Sequence, residues 1–247
     1  MKHSMHTTMA ALLAACFFVA GTARTEAAAL QLSPISVDVQ APGASSTITL
    51  SNHGDGLINA QIRVFRWTQR NGRDELVPTT DVVASPPFAK IQPNGDYTVR
   101  IVRVSKKALQ SEESYRLIID ELPSKPSKSG ISIKLVVRYS IPVFFGVNRQ
   151  HSGQLAWAIE KRGTKTWVVA KNTSARRVRL SSLRVKSPIG SGYSFGNGLA
   201  GYVLGHSSNQ WRIMKNLKGL AKNGHVLVTA QGDNGPIKQK APVRVSK

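Results

Sequence analysis

The chain has little of what an enzyme needs. It holds a single cysteine, and its six histidines are scattered without the spacing of a metal site. No G-x-S-x-G elbow occurs, and the glycine-rich stretch GSGYSFGNG (190–198) lacks the strand-then-helix setting of a phosphate loop. Asp120 and Glu121 are neighbours on a predicted strand, so they face opposite ways and cannot act as a carboxylate pair. From these absences we predict a protein that is not an enzyme and uses no cofactor and no metal.

Only one apolar run is long, MAALLAACFFVAGTA at residues 9–23. It follows Lys2 and precedes three alanines that end at Ala29, a pattern typical of a secretory signal peptide. Cleavage after Ala29 would remove Cys16, so the exported protein would contain no disulfide. Two alternatives stay open: a buried N-terminal helix, or a lipoprotein whose LAAC box (13–16) makes Cys16 the lipidated residue. No second run reaches membrane length, and we predict no stable membrane insertion.

Acidic residues are scarce. The chain has 34 Lys and Arg against 13 Asp and Glu, a net charge of +21, and after residue 146 the only acids are Glu160 and Asp233. Such an excess of positive charge favours binding to nucleic acid, but the predicted export and the lack of any nucleic-acid-binding signature argue against that function. We predict an acidic protein partner or an anionic envelope surface. A merely solvated, soluble surface is the alternative.

Nearly every periodic segment repeats every two residues, which predicts strands, and Gly, Pro and Asn mark turns between them. The one helix-like piece, SKKALQSEE (105–113), is short enough to be a connecting turn. A polar, glycine-flanked stretch follows Phe145 and predicts a linker. We therefore predict an all-β protein of two sandwiches. The expected divisions are a signal peptide (1–29), a first domain (30–145), a linker (146–152) and a second domain (153–247).

The segment ISIKLVVRYSIPVFF (131–145) alternates apolar and polar residues for longer than a typical strand of about five or six residues. It follows PSKPSKSG (123–130), which predicts a flexible loop. A flat apolar strand that begins at such an exposed edge promotes aggregation unless something covers it.

Several motifs in order resemble one family. SEESYRLIIDELP (111–123), then a loop, then YSIPVFF (139–145), is similar to the periplasmic chaperones of the chaperone–usher pathway, which escort pilus subunits. The likeness is greatest to the archaic branch, which includes spore-coat-type pili, and it covers the first domain and, more loosely, the second. Further matching stretches are TITLSN (47–52), FRWTQRNG (65–72), SPPF (85–88) and IQPNGDYTVRIVR (91–103).

The resemblance implies two immunoglobulin-like domains set at an angle, a subunit bound in the cleft between them, and delivery of that subunit to an outer-membrane usher. It also implies that a strand of the chaperone fills the groove of an incomplete subunit, so that main-chain hydrogen bonds give affinity and alternate side chains fill pockets. Core packing would resume at Tyr139 and Ile141. The alternative is that the whole segment faces its own domain core. The expected donor residues are Ile131, Ile133, Leu135 and Val137.

The family also holds the terminal carboxylate of the subunit with two basic residues, one on the first strand and one late on the donor strand. This chain departs from that pattern, because LQLSPISVDVQ (30–40) has no basic residue and Ser140 stands near the expected lysine. Arginine suits a carboxylate, since its planar fork can bind both oxygens. We expect the anchor among Arg100 and Arg138 first and Arg103 third.

Relatives can also hold the domains together with an acid–arginine–acid cluster. Here Glu112 can supply one acid, but Phe144 stands near the expected arginine, so we expect an apolar interface. A different class of protein, an exported adhesin or structural pilus subunit without a donor role, also fits the length and the signal peptide. A polymer subunit would carry an N-terminal donor extension, whereas residues 30–40 read as the first strand of a domain. The chaperone is therefore the favoured prediction.

Overall fold

The computed structural model describes residues 29–123, 136–146 and 154–246. These ranges contain strands and no helix, and so nothing in them could cross a membrane as an apolar helix. The strands are β1 (Leu30–Ser33), β2 (Val37–Gln40), β3 (Ser45–Asn52), β4 (Ile58–Arg70), β5 (Arg73–Pro78), β6 (Val82–Ser85), β7 (Phe88–Ile91), β8 (Asp96–Arg103), β9 (Glu113–Leu122), β10 (Arg138–Gly146), β11 (Leu155–Arg162), β12 (Lys165–Asn172), β13 (Val178–Lys186), β14 (Gly192–Ser194), β15 (Leu199–Val203), β16 (Ser208–Ile213), β17 (His225–Gly232) and β18 (Gly235–Ser246).

The first domain is a sandwich of two sheets, ordered β1-β3-β8-β6 and β2-β10-β9-β4-β5, with β7 beside β4. Its strands follow from the two-residue period, since successive side chains point to opposite faces. On β9, for example, Tyr115, Leu117 and Ile119 are fully buried between the sheets, while Arg116 and Asp120 lie on the outer face. The prediction that this domain is built of strands is confirmed, and the strand expected over 131–145 is seen from Arg138 onward.

The first predicted strand is present in two pieces that belong to different sheets. β1 pairs with β3 in one sheet, and β2 runs parallel to β10 in the other. Pro34 lies between the pieces, where the missing N–H of proline interrupts a ladder at no cost. Residues 30–40 therefore belong to the domain itself, as the sequence predicted.

The segment 131–145 is described from residue 136 onward. β10 begins at Arg138 and pairs antiparallel with β9, and one further hydrogen bond joins the Glu121 N–H to the Val137 carbonyl at 2.9 Å. Tyr139 packs against the core and Ile141 is buried in it, which confirms the prediction that core packing resumes there. Of the expected donor residues, Ile131, Ile133 and Leu135 lie outside the described residues.

The second domain encloses a separate core between strands joined in the order β14-β13-β17-β18-β11-β12-β16, with β15 beside β13. β18 pairs with β17 over its first part and then runs parallel to β11 from Val243 to Ser246. It thus passes from one layer to the other and connects them.

The all-β, two-domain prediction is confirmed, and SKKALQSEE forms no helix but an irregular connection ahead of β9. The stretch GSGYSFGNG contains the short strand β14, which pairs with β13. The predicted domain limits remain predictions. Most of the expected linker (146–152) and all of the expected signal peptide except Ala29 lie outside the described residues.

Candidate functional site

The two domains meet through a buried aromatic cluster. Trp67 and Phe144 of the first domain contact Tyr202 and Leu204 of the second. The Trp67 and Tyr202 rings meet edge to face with centroids 5.5 Å apart, and the Phe144 ring lies 5.7 Å from Tyr202. Burial of large aromatic groups in such geometry favours association beyond the area alone. The interface therefore has the apolar contacts that the sequence led us to expect.

A buried side-chain amide forms hydrogen bonds across this interface. Gln69 donates from Nε2 to the Tyr202 carbonyl at 2.9 Å, and its Oε1 accepts from the Leu204 N–H at 2.9 Å. The amide thus satisfies the buried Leu204 N–H and shares the Tyr202 carbonyl with Asn209, which donates to it from Nδ2 at 2.9 Å. The turn after β4 also contacts the second domain, because Gln210 donates to the Asn71 carbonyl at 3.2 Å.

The interface is ionic as well as apolar, which the sequence did not predict. Arg177 of the second domain bonds to both Glu112 and Asp38 of the first, and its backbone N–H donates to Glu112 Oε1 at 3.0 Å. Its guanidinium carbon lies 3.5 Å from the centroid of Phe144. The expectation of a solely apolar interface was wrong, because the arginine comes from the second domain instead of from position 144.

Glu112 is the buried member of this cluster, with a side chain only 3% exposed. Burial raises its pKa above the ordinary value, and the charge and backbone N–H of Arg177 oppose that rise. Arg177 therefore stabilises a carboxylate that the interface would otherwise favour in its protonated form.

The outer face of the β10-β9-β4 sheet looks toward the second domain and carries an arginine without a carboxylate partner among the described residues. The guanidinium carbon of Arg116 lies 3.8 Å from the centroid of Trp67 and 5.9 Å from that of Tyr202. Its Nη1 makes one long hydrogen bond, 3.4 Å, to the Ser140 carbonyl. Burial lowers the pKa of Arg116, and Asp74 partly offsets that effect. A stacked, preoriented guanidinium with free donors is suited to a carboxylate.

Beside Arg116, β10 presents a free edge. β9 pairs with β10 from Arg138 to Phe145, but β2 pairs only from Val143 onward. Among the described residues, the first half of β10 therefore has no strand on its second side. A row of unpaired N–H and C=O groups of this kind is a template for another strand. An adjacent cavity of 350 Å³ is lined by Leu30, Gln31, Leu32, Ile35, His53, Tyr139 and Ile141.

Val137 lies half-buried immediately before this edge. Arg138 follows it and is 68% exposed, with a hydrogen bond to Asp120. Asp120 also accepts from Arg63 at 2.5 Å. Burial would raise the pKa of Asp120, but the bonds from Arg138 and Arg63 outweigh it and hold that pKa below its ordinary value. Arg138 thus faces the cleft side with its charge already partly compensated.

The other two predicted anchors lie elsewhere. Arg100 is exposed on β8, in the opposite sheet of the sandwich, and its nearest polar contact is Ser45 Oγ at 3.4 Å. Arg103 is 9% exposed and pairs with Glu113 at 2.9 Å, and it also donates to two carbonyls of the loop after β8. The hydrogen bond to Glu113 raises the pKa of Arg103 despite burial. The structure therefore brings only Arg138 of the three to the cleft face.

Sequence reasoning missed Arg116 and Arg177. The signal for Arg116 was present, because its position on β9 has the opposite parity to the buried Tyr115 and Leu117. That parity places it on the outer face, but only the position of the second domain shows that this face lines the cleft. Among the described residues no group of three or more His, Cys, Asp or Glu side chains is arranged to hold a metal ion.

Two immunoglobulin-like sandwiches thus meet at an aromatic and ionic interface, and the first of them has a free strand edge among the described residues. Residues 29–146 match the family described as pili and flagellar-assembly chaperone, PapD N-terminal domain. The first domain therefore belongs to this chaperone family, as the sequence motifs predicted. No curated protein matches the chain.

Solved structures share the fold over both domains. A chain of the CsuC–CsuE chaperone–tip adhesion subunit pre-assembly complex, from archaic chaperone–usher Csu pili of Acinetobacter baumannii, is 24% identical with a TM-score of 0.65. That match covers 88% of this chain and 99% of the other. The CupB2 chaperone of Pseudomonas aeruginosa is 18% identical with a TM-score of 0.55, over 86% of this chain and 100% of its own. A chain of the Salmonella enterica SafA pilin–SafB chaperone complex is 17% identical with a TM-score of 0.59, over 87% and 97%.

Proposed function

We propose that the protein is a periplasmic chaperone that binds pilus subunits by donor-strand complementation and delivers them to an outer-membrane usher. The observation that carries this proposal is the free edge of β10, which continues an alternating apolar segment in a domain of the chaperone family. Solved structures of the same fold include chains from complexes of a chaperone with a tip adhesion subunit or with a pilin. A chaperone acts by binding, and we propose no catalytic step.

The donor residues in this proposal are Ile131, Ile133, Leu135 and Val137. Full burial of each side chain in a subunit groove contributes roughly 1.5–3 kcal/mol, or on the order of 6–12 kcal/mol for the four. Ordering the preceding loop and the strand takes back part of that gain. The free edge of β10 supplies the main-chain hydrogen bonds that continue the ladder into the subunit.

We propose Arg116 as the main anchor for the terminal carboxylate of the subunit, ahead of Arg138, Arg100 and Arg103. Arg116 lines the cleft, its guanidinium is stacked on Trp67, and it forms no ion pair with a described carboxylate. Arg138 faces the same side but is bonded to Asp120. Arg103 is committed to Glu113, and Arg100 lies on the far sheet.

Co-expression with a candidate pilus subunit, followed by affinity recovery of the tagged chaperone, tests the proposal. The wild-type protein should recover the subunit, and Arg116→Gln should recover at least tenfold less, since a charge-assisted bidentate contact contributes about 1.5–3 kcal/mol. Arg100→Gln is the matched control, because it removes the same charge from an exposed arginine on the opposite sheet. Equal recovery by both variants would reject Arg116 as the anchor. Failure of the folded wild-type protein to protect any pilus subunit would reject the chaperone function.

A further inference from the structure

Among the described residues, arginines and lysines differ in whether they form ion pairs. Every ion pair within the described ranges is formed by an arginine, and no lysine there lies within salt-bridge distance of a described carboxylate. In the second domain the two acids, Glu160 and Asp233, both pair with arginines, Arg162 at 2.6 Å and Arg179 at 2.9 Å. The lysines of this domain therefore carry charge that the described fold does not use.

Five of these lysines gather at one end of the second domain. β13 starts at Val178, beside Arg177 at the domain interface, and ends eight residues later at Lys186, about 26 Å away at the rise of a strand. Lys186 stands next to Leu227 of β17, and Leu227 stands next to Lys240 of β18. The connection 214–224 leads into β17 at this same end and adds three more exposed lysines, which are Lys215, Lys218 and Lys222.

An exposed apolar tip lies among these charges. Ile189, in the turn after β13, is 68% exposed, yet its side chain covers Gly219 closely enough that a Cβ there would stand 2.6 Å from Ile189 Cγ1. Leu217 of the same connection is buried in the domain core, so the lysines on either side of Gly219 are held on a packed support. Met214, where the connection begins, is 70% exposed. We call Ile189, Lys186, Lys240 and the connection 214–224 the distal patch.

We infer that the distal patch binds the surface of an anionic phospholipid bilayer. An apolar tip surrounded by cations suits the boundary of headgroups and acyl chains, where the tip enters the apolar layer and the cations meet phosphate. The cations are lysines, which act as point charges without a fixed fork and so fit an irregular array of phosphates better than one oriented carboxylate. A neighbouring cavity of 490 Å³, lined by Lys186, Arg184 and Tyr193 among others, gives a headgroup room between two cations.

The position of the distal patch keeps it separate from the subunit site. The free edge of β10 and Arg116 lie at the first domain and the cleft, whereas the distal patch lies at the opposite end of the second domain. A chaperone with a subunit in its cleft can therefore still lie on a membrane surface. This inference does not depend on the chaperone function, because vesicle binding is measured without any subunit.

Co-sedimentation with vesicles tests the inference. The protein is purified after export, and its binding to neutral phosphatidylcholine vesicles is compared with binding to vesicles that also contain phosphatidylglycerol. We expect binding only to the anionic vesicles and a steep loss as salt is added. The triple variant Lys215→Gln, Lys218→Gln and Lys222→Gln should bind on the order of 100-fold more weakly, since each lysine near such a surface contributes about fivefold.

A matched control removes the same three charges from the first domain, through Lys90→Gln, Lys106→Gln and Lys107→Gln, all exposed. It should keep most of the binding, and an equal loss in both triple variants would show attraction by net charge alone and overturn the assignment. Ile189→Ser should weaken binding roughly tenfold, whereas Leu199→Ser, at a residue 59% exposed in the same domain, should not. Melting temperatures of all variants check that the fold is retained. Absence of binding to anionic vesicles at low salt, or binding to poly-glutamate in its place, would also overturn the inference, the latter in favour of an acidic protein partner.

Discussion

The Glu112–Arg177 pair is where a single substitution should show most clearly how the two domains are held together. Arg177 is 10% exposed and Glu112 3% exposed, so neither charge is well solvated. Arg177→Met keeps the length and the contact with Phe144 but leaves the Glu112 carboxylate buried without its cation. Removal of one partner from a buried pair costs about 3–5 kcal/mol. Asp38 is one-third exposed and should add little to that loss.

The loss should depend on pH in a defined direction. Burial already raises the pKa of Glu112 in the folded protein, and the variant lacks the charge and hydrogen bonds of Arg177 that oppose this rise. An acid whose folded pKa exceeds its unfolded value favours folding only while it is protonated, so that contribution is lost as the pH rises through the folded pKa. The variant should therefore lie close to the wild type below the ordinary carboxyl pKa and fall well below it at neutral pH.

Urea unfolding followed by tryptophan fluorescence measures the free energy of unfolding at each pH, and Trp67 reports on the interface because it lies there. Arg176→Met is the matched control, because Arg176 is 48% exposed and its atoms lie 3.6 Å or more from the two carboxylates. It should cost less than about 1 kcal/mol. Adding Glu112→Gln to Arg177→Met should recover most of the stability at neutral pH, because no buried charge then remains. A cost for Arg177→Met that is the same at acidic and neutral pH, or that Glu112→Gln does not relieve, would refute the reasoning.

Three more predictions concern the strand, the predicted anchor and the interface amide. Ile133→Ser with Leu135→Ser should abolish subunit recovery while the free protein melts at or above the wild-type temperature, and a large drop in that temperature would mean that both are core residues. Arg103→Ala should lower the free energy of unfolding by about 2–4 kcal/mol, since the partly buried Glu113 then keeps only the Tyr115 hydroxyl and the more distant Arg66 as partners, and a folded variant of normal stability that recovers no subunit would instead favour an anchor role. Gln69→Ala should cost about 1–3 kcal/mol in urea unfolding, because it leaves the buried Leu204 N–H without a partner and removes one of the two hydrogen bonds to the Tyr202 carbonyl, and an unchanged midpoint would contradict this.

The features predicted correctly from sequence are those that follow directly from the two-residue period of a strand. Alternation in the segment 131–145 led us to expect that core packing resumes at Tyr139 and Ile141, and the structure packs both against the core. The family motifs also predicted the chaperone domain. They occur along this chain in the same order as in the family, with short turns between the strands.

What sequence could not show depends on contacts between distant segments. Arg177 lies 65 residues from Glu112 and 139 from Asp38, a separation that leaves no local pattern. The same holds for Arg116, whose parity gives its face but not the domain that covers that face. Arg103 was ranked as a candidate anchor by its place in a motif, but an arginine at such a place can equally form an ion pair within its own domain.

The course of β18 bears on when the second domain can fold. This strand follows all the others in the described chain, yet it alone connects the layer of β17 with the layer of β11. When the chain emerges amino end first, all strands of the first sandwich are therefore available before β18 is. At that stage no strand yet connects the two layers of the second sandwich. The first domain can therefore fold ahead of the second, and the aromatic and ionic contacts between the domains would form last.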